Sequence, residues 1–140
     1  MFQWKRRFTP AQLSQAGRNT LVDHLGIEIE PPGDDFLAGS MPVDQRTTQP
    51  FGLLHGGASV ALAETLGSLA GQMMVAEGEM VVGLEINANH LKAVRSGRVR
   101  GVAHPLHVGR RTQVWEIRIS DEQDDLACVS RLTLAVVARP

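Results

Sequence analysis

The stretch HGGASVALAETLGSLAGQMMVAEG, residues 55–78, decides the fold. Alanine, leucine and other helix formers dominate it, and glycines stand near both of its ends, where helices start and stop. We expect a helix over Ala58 to Glu77, about 30 Å long at 1.5 Å per residue. Because alanine and glycine occur on all its sides and polar residues are few, we expect this helix to be buried rather than amphipathic.

The residues before this helix predict a short helix and a hairpin. Thr9 can cap a helix, and Pro10 fits its first turn, so we expect a helix over residues 10–16 that ends near Gly17. Apolar and acidic residues alternate over 27–30, where a Pro-Pro-Gly-Asp turn follows. Residues 36–43 then read as the returning strand.

The residues after the helix alternate with a period of two and predict four strands. They run from Met80 to His90, Gly97 to His104, Thr112 to Ser120 and Leu126 to Ala138. Short turns join them, so we expect an antiparallel meander, with Trp115, Ile117 and Ile119 on one face of their strand. The order of elements predicts an α+β fold, a sheet wrapped around one long helix, as a single domain over residues 1–140.

Composition excludes several classes of protein. Fourteen basic and fifteen acidic residues leave a net charge of −1, which argues against a nucleic-acid-binding protein. A single cysteine, Cys128, excludes a disulfide framework, and its apolar neighbours predict a core thiol. The start of the chain lacks the apolar run of a signal peptide, and residues 60–76 are too polar to span a membrane. We therefore expect a cytoplasmic protein with no membrane or nucleic-acid partner.

Glu64 is the most informative candidate, because it is the only charged residue between Arg46 and Glu77. A carboxylate buried in a helix costs several kcal/mol unless it is paired, and no basic residue lies within helical reach. A general base or nucleophile needs this placement. The alternative is a structural glutamate that pairs with a distant arginine. Ser68 lies one turn further along and can orient the carboxylate or a water.

The helix start offers a second candidate, made by Gln49, His55 and Gly56. Glycines at a helix start leave backbone N–H groups open, and with the helix dipole these donors can polarise a carbonyl. The alternative is an ordinary glycine-rich entry with His55 as the cap. His55 and Glu64 lie about 13 Å apart on one helix, too far to act on one carbonyl. If both serve one site, they come from different subunits.

Basic residues are concentrated between positions 92 and 118, where only Glu116 opposes them. They are Lys92, Arg95, Arg98, Arg100, Arg110, Arg111 and Arg118. On adjacent strands they would converge into one patch that could bind a polyphosphate. The alternative is a set of solvated strand edges. His104 and His107 lack further ligands, so we expect no metal site.

Three segments resemble a known family. They are Gln49–Ser59 (QPFGLLHGGAS) with Glu64 following, Val82–His90 (VGLEINANH), and His107–Arg110 (HVGR). They are similar to the hotdog-fold acyl-CoA thioesterases of the phenylacetate-degradation and 4-hydroxybenzoyl-CoA type. Within that family they resemble the branch that contains 1,4-dihydroxy-2-naphthoyl-CoA thioesterases of menaquinone biosynthesis and proofreading thioesterases of enterobactin synthesis. The resemblance covers nearly the whole chain.

The resemblance implies roles for these residues. Glu64 would be the catalytic base or nucleophile, assisted by Ser68, and the Gly56 N–H would polarise the thioester carbonyl, with Gln49 and His55 beside it from a partner subunit. His90 would shape the pocket for the acyl and pantetheine groups. The family also implies a tetramer built from two dimers. The CoA contacts it implies are Gly83, His90, Leu91, Lys92, Ala93, His107, Val108, Gly109, Arg110, Arg111 and Thr112. The family varies at positions 110 and 111, so these nucleotide contacts follow from it less directly.

We therefore expect a thioesterase that hydrolyses an aryl- or acyl-CoA and needs no cofactor, since CoA is part of the substrate. A proofreading enzyme that acts on an aroyl group bound to a carrier protein is the nearest alternative. A hotdog hydratase or dehydratase would convert an enoyl thioester without releasing thiol, and a non-catalytic acyl-CoA-binding protein would leave it intact. The acyl group and the pathway stay open at this point.

Overall fold

A computed structural model describes residues 2–140 as one antiparallel sheet with one long helix packed against it. Two short helices, α1 (Pro10–Ala16) and α2 (Leu21–His24), precede strands β1 (Glu28–Ile29) and β2 (Leu37–Pro42). Helix α3 (Gly56–Gln72) follows, and then β3 (Glu79–His90), β4 (Arg98–Val108), β5 (Thr112–Ser120) and β6 (Leu126–Ala138). The predicted α+β class, the N-terminal helix and the hairpin are confirmed; helix α2 was not predicted.

The core lies between α3 and the concave face of the sheet. Leu62, Leu66 and Ala70 of α3 are fully buried, and so are the large apolar side chains of β5 that the period of two placed on one face. A Cβ at Gly67 would lie only 2.6 Å from Cδ2 of Leu132, so glycine lets the helix approach β6 closely. This close approach holds α3 in the curve of the sheet.

Helix α3 ends five residues before the predicted boundary, at Gln72. The N-terminal segment of the chain ends it: the N–H groups of Lys5 and Arg6 donate to the carbonyl of Met73, and the Arg6 guanidinium donates to the carbonyl of Gln72. These donors satisfy carbonyls that a longer helix would have paired internally, and they come from residues more than 60 positions away. No local pattern in residues 55–78 predicts that these donors end the helix.

The expectation of burial on all sides of α3 is correct for one face only. The face toward the sheet is buried, whereas Glu64, Thr65 and Ser68 on the opposite face are partly exposed. In the part of the chain that the structure describes, no helix is long and apolar enough to cross a membrane.

The predicted four-strand meander is wrong at its first connection. The sheet order is β1-β2-β4-β5-β6-β3, so β4, β5 and β6 form a meander, while β3 lies at the far edge and pairs with β6. Strand β4 also continues past Pro105 to Val108 through a bulge, so the turn lies at residues 109–111. Residues 91–97 therefore connect strands that are not neighbours, and the two ends of β3 lie at opposite ends of the sheet.

Candidate active site

Glu64 lies in the middle of α3 and faces a groove between this helix and helices α1 and α2. Ser68 lies one turn further along the same groove, as predicted. None of the ion pairs in residues 2–140 includes Glu64, so these residues do not supply the arginine partner that the structural alternative requires. The carboxylate rests against β3 instead: a Cβ at Gly83 would lie 2.7 Å from Oε1 of Glu64. Glu64 thus combines a fixed backbone position with a carboxylate that has no cationic partner.

The start of α3 has one backbone donor that the chain leaves open. His55 is the N-cap, and its Nδ1 accepts a hydrogen bond from the N–H of Gly57 at 2.8 Å. The N–H groups of Ala58 and Ser59 donate to the carbonyl of His55. Among the described residues, the N–H of Gly56 has no acceptor. His55 is therefore a cap, as its alternative interpretation stated, and the cap leaves the Gly56 N–H, near the positive end of the helix dipole, free for a ligand.

His90 packs directly against Gly56. A Cβ at Gly56 would lie 2.9 Å from Nε2 of His90, so a larger residue at position 56 would displace the imidazole. Gln49 stands on the loop before α3, where its side-chain oxygen accepts a hydrogen bond from the N–H of Phe51. That bond orients the amide so that its NH₂ group is the free donor.

The donor side of the site forms a second groove, with a volume of about 380 Å³. Six of the predicted residues line it together: Gln49, Gly56, His90, Leu91, Lys92 and Ala93. These residues lie in two separate segments of the sequence, and the structure brings them to one end of the sheet. We call this space the donor groove, and we call the space that holds Glu64 and Ser68 the carboxylate groove.

The two grooves lie at opposite ends of the chain's sheet. Gly83, which touches Glu64, pairs across β3 and β6 with Leu134, whereas His90 pairs with Cys128. Six residues separate these two positions on β6, which corresponds to about 20 Å at 3.3 Å per residue. The Gly56 N–H and the Glu64 carboxylate of one chain therefore cannot contact the same carbonyl carbon.

The hairpin between β4 and β5 lies at the end of the sheet that holds Glu64. Gln113, at the start of β5, pairs with Leu134, the residue that also pairs with Gly83. The predicted CoA residues 107–112 form this hairpin, and Arg110 and Arg111 make no ion pair within residues 2–140. They are exposed, so the hairpin presents two uncompensated guanidinium groups to solvent.

The expectation that seven basic residues form one patch is wrong. The strand period places Arg98, Arg100 and Arg118 on the outer face of the sheet, where each pairs with a glutamate. The 91–97 loop and the 109–111 hairpin lie at opposite ends of the sheet. The outer-face arginines therefore follow the alternative reading of solvated, charged strands.

Lys92 is held by two carboxylates that the sequence did not single out. Its Nζ lies 2.6 Å from Asp121 and 2.7 Å from Asp125. The hydrogen bond that Lys92 donates to Asp121, followed by the one that it donates to Asp125, raises the pKa of Lys92 above its usual value of 10.5, and Lys92 lowers the pKa of Asp121. A phosphate at Lys92 would have to compete with these carboxylates, so Arg110 and Arg111 are the freer anion-binding groups.

Residues of the N-terminal helices form a wall of the carboxylate groove that sequence reasoning missed. The residues are Leu13, Ala16, Gly17, Thr20 and Val22. The apolar ones among them match an ordinary amphipathic pattern, so no local signal distinguishes a groove wall from core packing.

No group of three or more His, Cys, Asp or Glu side chains within residues 2–140 is placed to hold a metal. Cys128 is buried in the core, as predicted, and burial raises its pKa.

Comparison with known proteins identifies the family of the chain. The chain is 56% identical over 134 residues to a 1,4-dihydroxy-2-naphthoyl-CoA hydrolase of Escherichia coli, covering 96% of this chain and 98% of the relative. It is 58% identical over 134 residues to the proofreading thioesterase EntH of Cronobacter turicensis, with the same coverage. The crystal structure of a thioesterase from Haemophilus influenzae superposes with a TM-score of 0.95 at 57% identity, covering 98% of this chain and 96% of that one.

The profile of the Thioesterase superfamily matches residues 51–128, which include the start of α3, Glu64 and the β4–β5 hairpin. The α+β architecture with one helix in the curve of an antiparallel sheet is the hotdog fold, as the resemblance implied. The chain therefore belongs to the thioesterase superfamily and is a hotdog-fold thioesterase.

Proposed function

We propose that this enzyme hydrolyses the thioester bond of an aryl- or acyl-CoA at a site shared by two copies of the chain. One observation carries the proposal: α3 presents a carboxylate with no cationic partner at Glu64 and an open backbone donor at Gly56, about 12 Å apart along the helix axis. Hydrolysis of a thioester needs both groups on one carbonyl. A second, antiparallel copy supplies the group that the first cannot reach.

Strand β3 is the edge at which a second copy would bind. It is twelve residues long and lies at the edge of the sheet, with Val82 and Leu84 exposed on it. A long edge strand with exposed apolar residues readily pairs with another strand. A two-fold axis at β3 would place Glu64 of one copy near Gly56 of the partner subunit. We propose this dimer as the catalytic unit and a pair of such dimers as the tetramer.

The proposed chemistry is acyl transfer to water. The Gly56 N–H, with the Gln49 amide beside it, donates to the carbonyl oxygen and stabilises the negative charge that develops there. Glu64 takes a proton from water while the hydroxide oxygen bonds to the carbonyl carbon. The carbon–sulfur bond then breaks, the thiolate takes up the proton, and the acid and CoA leave. In the nucleophilic variant, a Glu64 oxygen attacks first, and water opens the resulting anhydride.

The CoA portion would follow the donor groove and the hairpin of the other copy. His90, Leu91, Lys92 and Ala93 line the groove that leads away from Gly56, where the pantetheine arm would lie. The guanidinium groups of the β4–β5 hairpin would bind the nucleotide phosphates, and the backbone near Gly83, which touches Glu64, would border the thioester end of CoA. The opposite placement of these two segments in one chain supports a path that crosses from one subunit to the next.

Release of thiol from benzoyl-CoA and from 1,4-dihydroxy-2-naphthoyl-CoA tests the activity directly. Glu64→Gln keeps the size of the side chain and removes the base, and we expect kcat to fall by about 10²- to 10⁴-fold. Ser14→Ala on exposed α1 is the matched control, and its kcat should stay at the wild-type value. Near-normal turnover by Glu64→Gln would refute the assignment. Label found in Glu64 after a single turnover in ¹⁸O-water would establish the nucleophilic route with water attack on the Glu64 carbonyl of the anhydride, because the general-base route places the label only in the released acid.

Mixed oligomers test the shared site. Glu64→Gln damages the half of the active site that supplies the carboxylate, and Gln49→Ala damages the half that supplies the hydrogen-bond donors. Each pure variant should therefore be nearly inactive. After the two are unfolded and refolded together, half of the dimers are mixed and hold one intact site, which restores about one quarter of wild-type activity. No restoration, with mixed dimers demonstrated by mass spectrometry, would place both groups in the same chain's site.

The acyl carrier is the remaining part of the proposal. One relative is named a naphthoyl-CoA hydrolase and another a proofreading thioesterase, at 56% and 58% identity. We propose an aryl-CoA as the substrate and the menaquinone-type naphthoyl ester as the first to test, because the hairpin carries two uncompensated arginines suited to CoA phosphates. An aroyl group loaded on an aryl carrier protein is the second candidate. A higher kcat/KM for the carrier-bound ester would favour proofreading.

A further inference from the structure

The carboxylate groove is a defined space on the side of α3 that faces away from the sheet. It has a volume of about 310 Å³, at the lower end of the range for small-molecule pockets. Glu64, Thr65, Ser68 and Leu69 of α3 form one wall of it. The opposite wall consists of α1, α2 and the turn between them. The N-terminal helices therefore decide how wide this space is.

The α1–α2 wall is held in place by specific contacts. Thr9 and Gln12 form a reciprocal capping box at the start of α1, and Leu13 anchors the helix in the core with 5% of its surface exposed. The Thr20 hydroxyl donates to the carbonyl of Gly17 at 2.6 Å and caps α2. These contacts make the turn an ordered wall, so its side chains can discriminate between ligands by size.

The position of Glu64 determines which part of a substrate would occupy this groove. A catalytic carboxylate must approach the thioester carbonyl to within about 3 Å, and the acyl group is bonded to that carbonyl carbon. On the side of β3, the backbone at Gly83 already touches the Glu64 carboxylate. The open side is the groove, so the acyl group has its space there.

The walls favour an uncharged, compact acyl group. Leu13, Val22 and Leu69 contribute apolar surface, and the hydroxyl of Thr65 already donates to the carbonyl of Ala61. Among the described residues that line the groove, Glu64 is the only charged one, so a second carboxylate on the acyl group would be repelled. A volume near 310 Å³ suits a one- or two-ring acyl group better than a long fatty chain.

We infer that the N-terminal helices set the acyl specificity of the enzyme, and that the small side chain of Ala16 leaves the space in which a two-ring acyl group lies. Ala16 is the last residue of α1, is exposed, and lines the carboxylate groove. This inference rests on the proposed function, because it takes Glu64 as the carboxylate that attacks. It assigns the size limit to residues of a helix that carries no catalytic group.

A matched pair of substitutions on α1 tests it. Ala16→Leu extends a side chain into the carboxylate groove, while Ala11→Leu makes the same change at an exposed position that lines a separate cleft against β1. Leucine favours helix nearly as well as alanine, so both proteins should fold. A third variant, Ala16→Phe, places a still larger side chain at position 16. Thiol release by each variant is measured with acetyl-CoA, benzoyl-CoA and 1,4-dihydroxy-2-naphthoyl-CoA.

We expect Ala16→Leu to lower kcat/KM for the naphthoyl ester by about 10-fold or more relative to acetyl-CoA, and Ala16→Phe to extend the loss to benzoyl-CoA. Ala11→Leu should keep the wild-type ratios. Unchanged ratios in both Ala16 variants, or an equal loss for all three esters, would overturn the inference. Glu64→Gln distinguishes a failure of the proposed function from a failure of this inference. If Glu64→Gln stays active, the proposed function fails. If Glu64→Gln is inactive while Ala16→Leu keeps the wild-type ratios of kcat/KM between the esters, only this inference fails.

Discussion

Replacing Gly83 with alanine should displace the Glu64 carboxylate while leaving the fold intact. The added Cβ would lie 2.7 Å from Oε1 of Glu64, whereas ordinary contact begins at 3.4 Å, so the oxygen must move by roughly 0.7 Å. A displacement near 1 Å from the reactive geometry can cost about 10² in rate, and we therefore expect kcat to fall by about 10- to 100-fold. The atom that yields is the end of the flexible Glu64 side chain, and the added methyl group lies on an edge strand, so the free energy of unfolding should change by less than about 1 kcal/mol.

The assay is thiol release at saturating aryl-CoA, combined with urea unfolding and a measurement of oligomer mass. Asn87→Ala is the control, since Asn87 is exposed on the same strand and its side chain bonds only to Glu85. Its kcat should equal that of the wild type. In a Glu64→Gln background, Gly83→Ala should cause no additional loss, because the group that it displaces is already inactive.

Two results would refute this reasoning. A kcat for Gly83→Ala within about twofold of the wild type would mean that the carboxylate does not act from its position against β3. An equal, additional loss in the Glu64→Gln background would mean that the substitution acts elsewhere, for example on the pairing of β3 with a second copy. Unchanged oligomer mass with a loss that depends on Glu64 would support the placement.

Three further predictions follow from other contacts. Arg110→Ala combined with Arg111→Ala should raise KM for CoA esters and weaken its dependence on salt; an unchanged KM would make the hairpin a solvated turn only. Gly67→Ala should lower the free energy of unfolding by about 1–3 kcal/mol in urea titrations, because its Cβ would overlap β6; a gain would mean that the helix can shift away. The hydrogen bond that Arg100 donates to Glu30 lowers the pKa of Glu30 below its usual value of 4.5. This partly exposed pair therefore stabilises the fold above pH 4.5, by less than about 1 kcal/mol. The stabilisation disappears as the pH falls through the lowered pKa of Glu30. Arg100→Ala should therefore be less stable than the wild type near pH 7, and the difference should shrink below pH 4.5; a constant difference would contradict this.

The N-terminal cap, the hairpin and the six strands follow from local patterns. Thr9 before Pro10 forms the predicted helix cap, because capping depends on residues within one turn. Alternation over residues 112–120 placed Trp115 and its neighbours on the buried face, because a strand exposes its two faces in turn. Such signals need no knowledge of the rest of the chain.

The end of α3 and the strand order depend on distant residues. Donors from Lys5 and Arg6 end the helix at Gln72, and nothing near Glu77 indicates this. Alternation also looks the same whether β3 pairs with β4 or with β6. Only the complete sheet shows that β3 is an edge strand.

For the site, the sequence distinguished Glu64 and Gly56 but not the space around them. A lone acidic residue within an apolar helix stands out in any sequence, and glycines after a histidine mark a helix start. No local pattern indicates that Ala16 lines the carboxylate groove, or that Asp121 and Asp125 bind Lys92.

The sequence alone determined the strands, the first helix and the start of the long one, the family resemblance and the identity of the chemical groups, because capping, periodicity and isolated charges are properties of neighbouring residues. The tertiary structure decided which of those groups meet. Strand register placed Gly83 under Glu64, set His90 against Gly56, and put about 20 Å between these two contacts. That separation arises from hydrogen bonds between residues far apart in the chain, and it is the physical reason for the proposal that two copies of the chain share each active site.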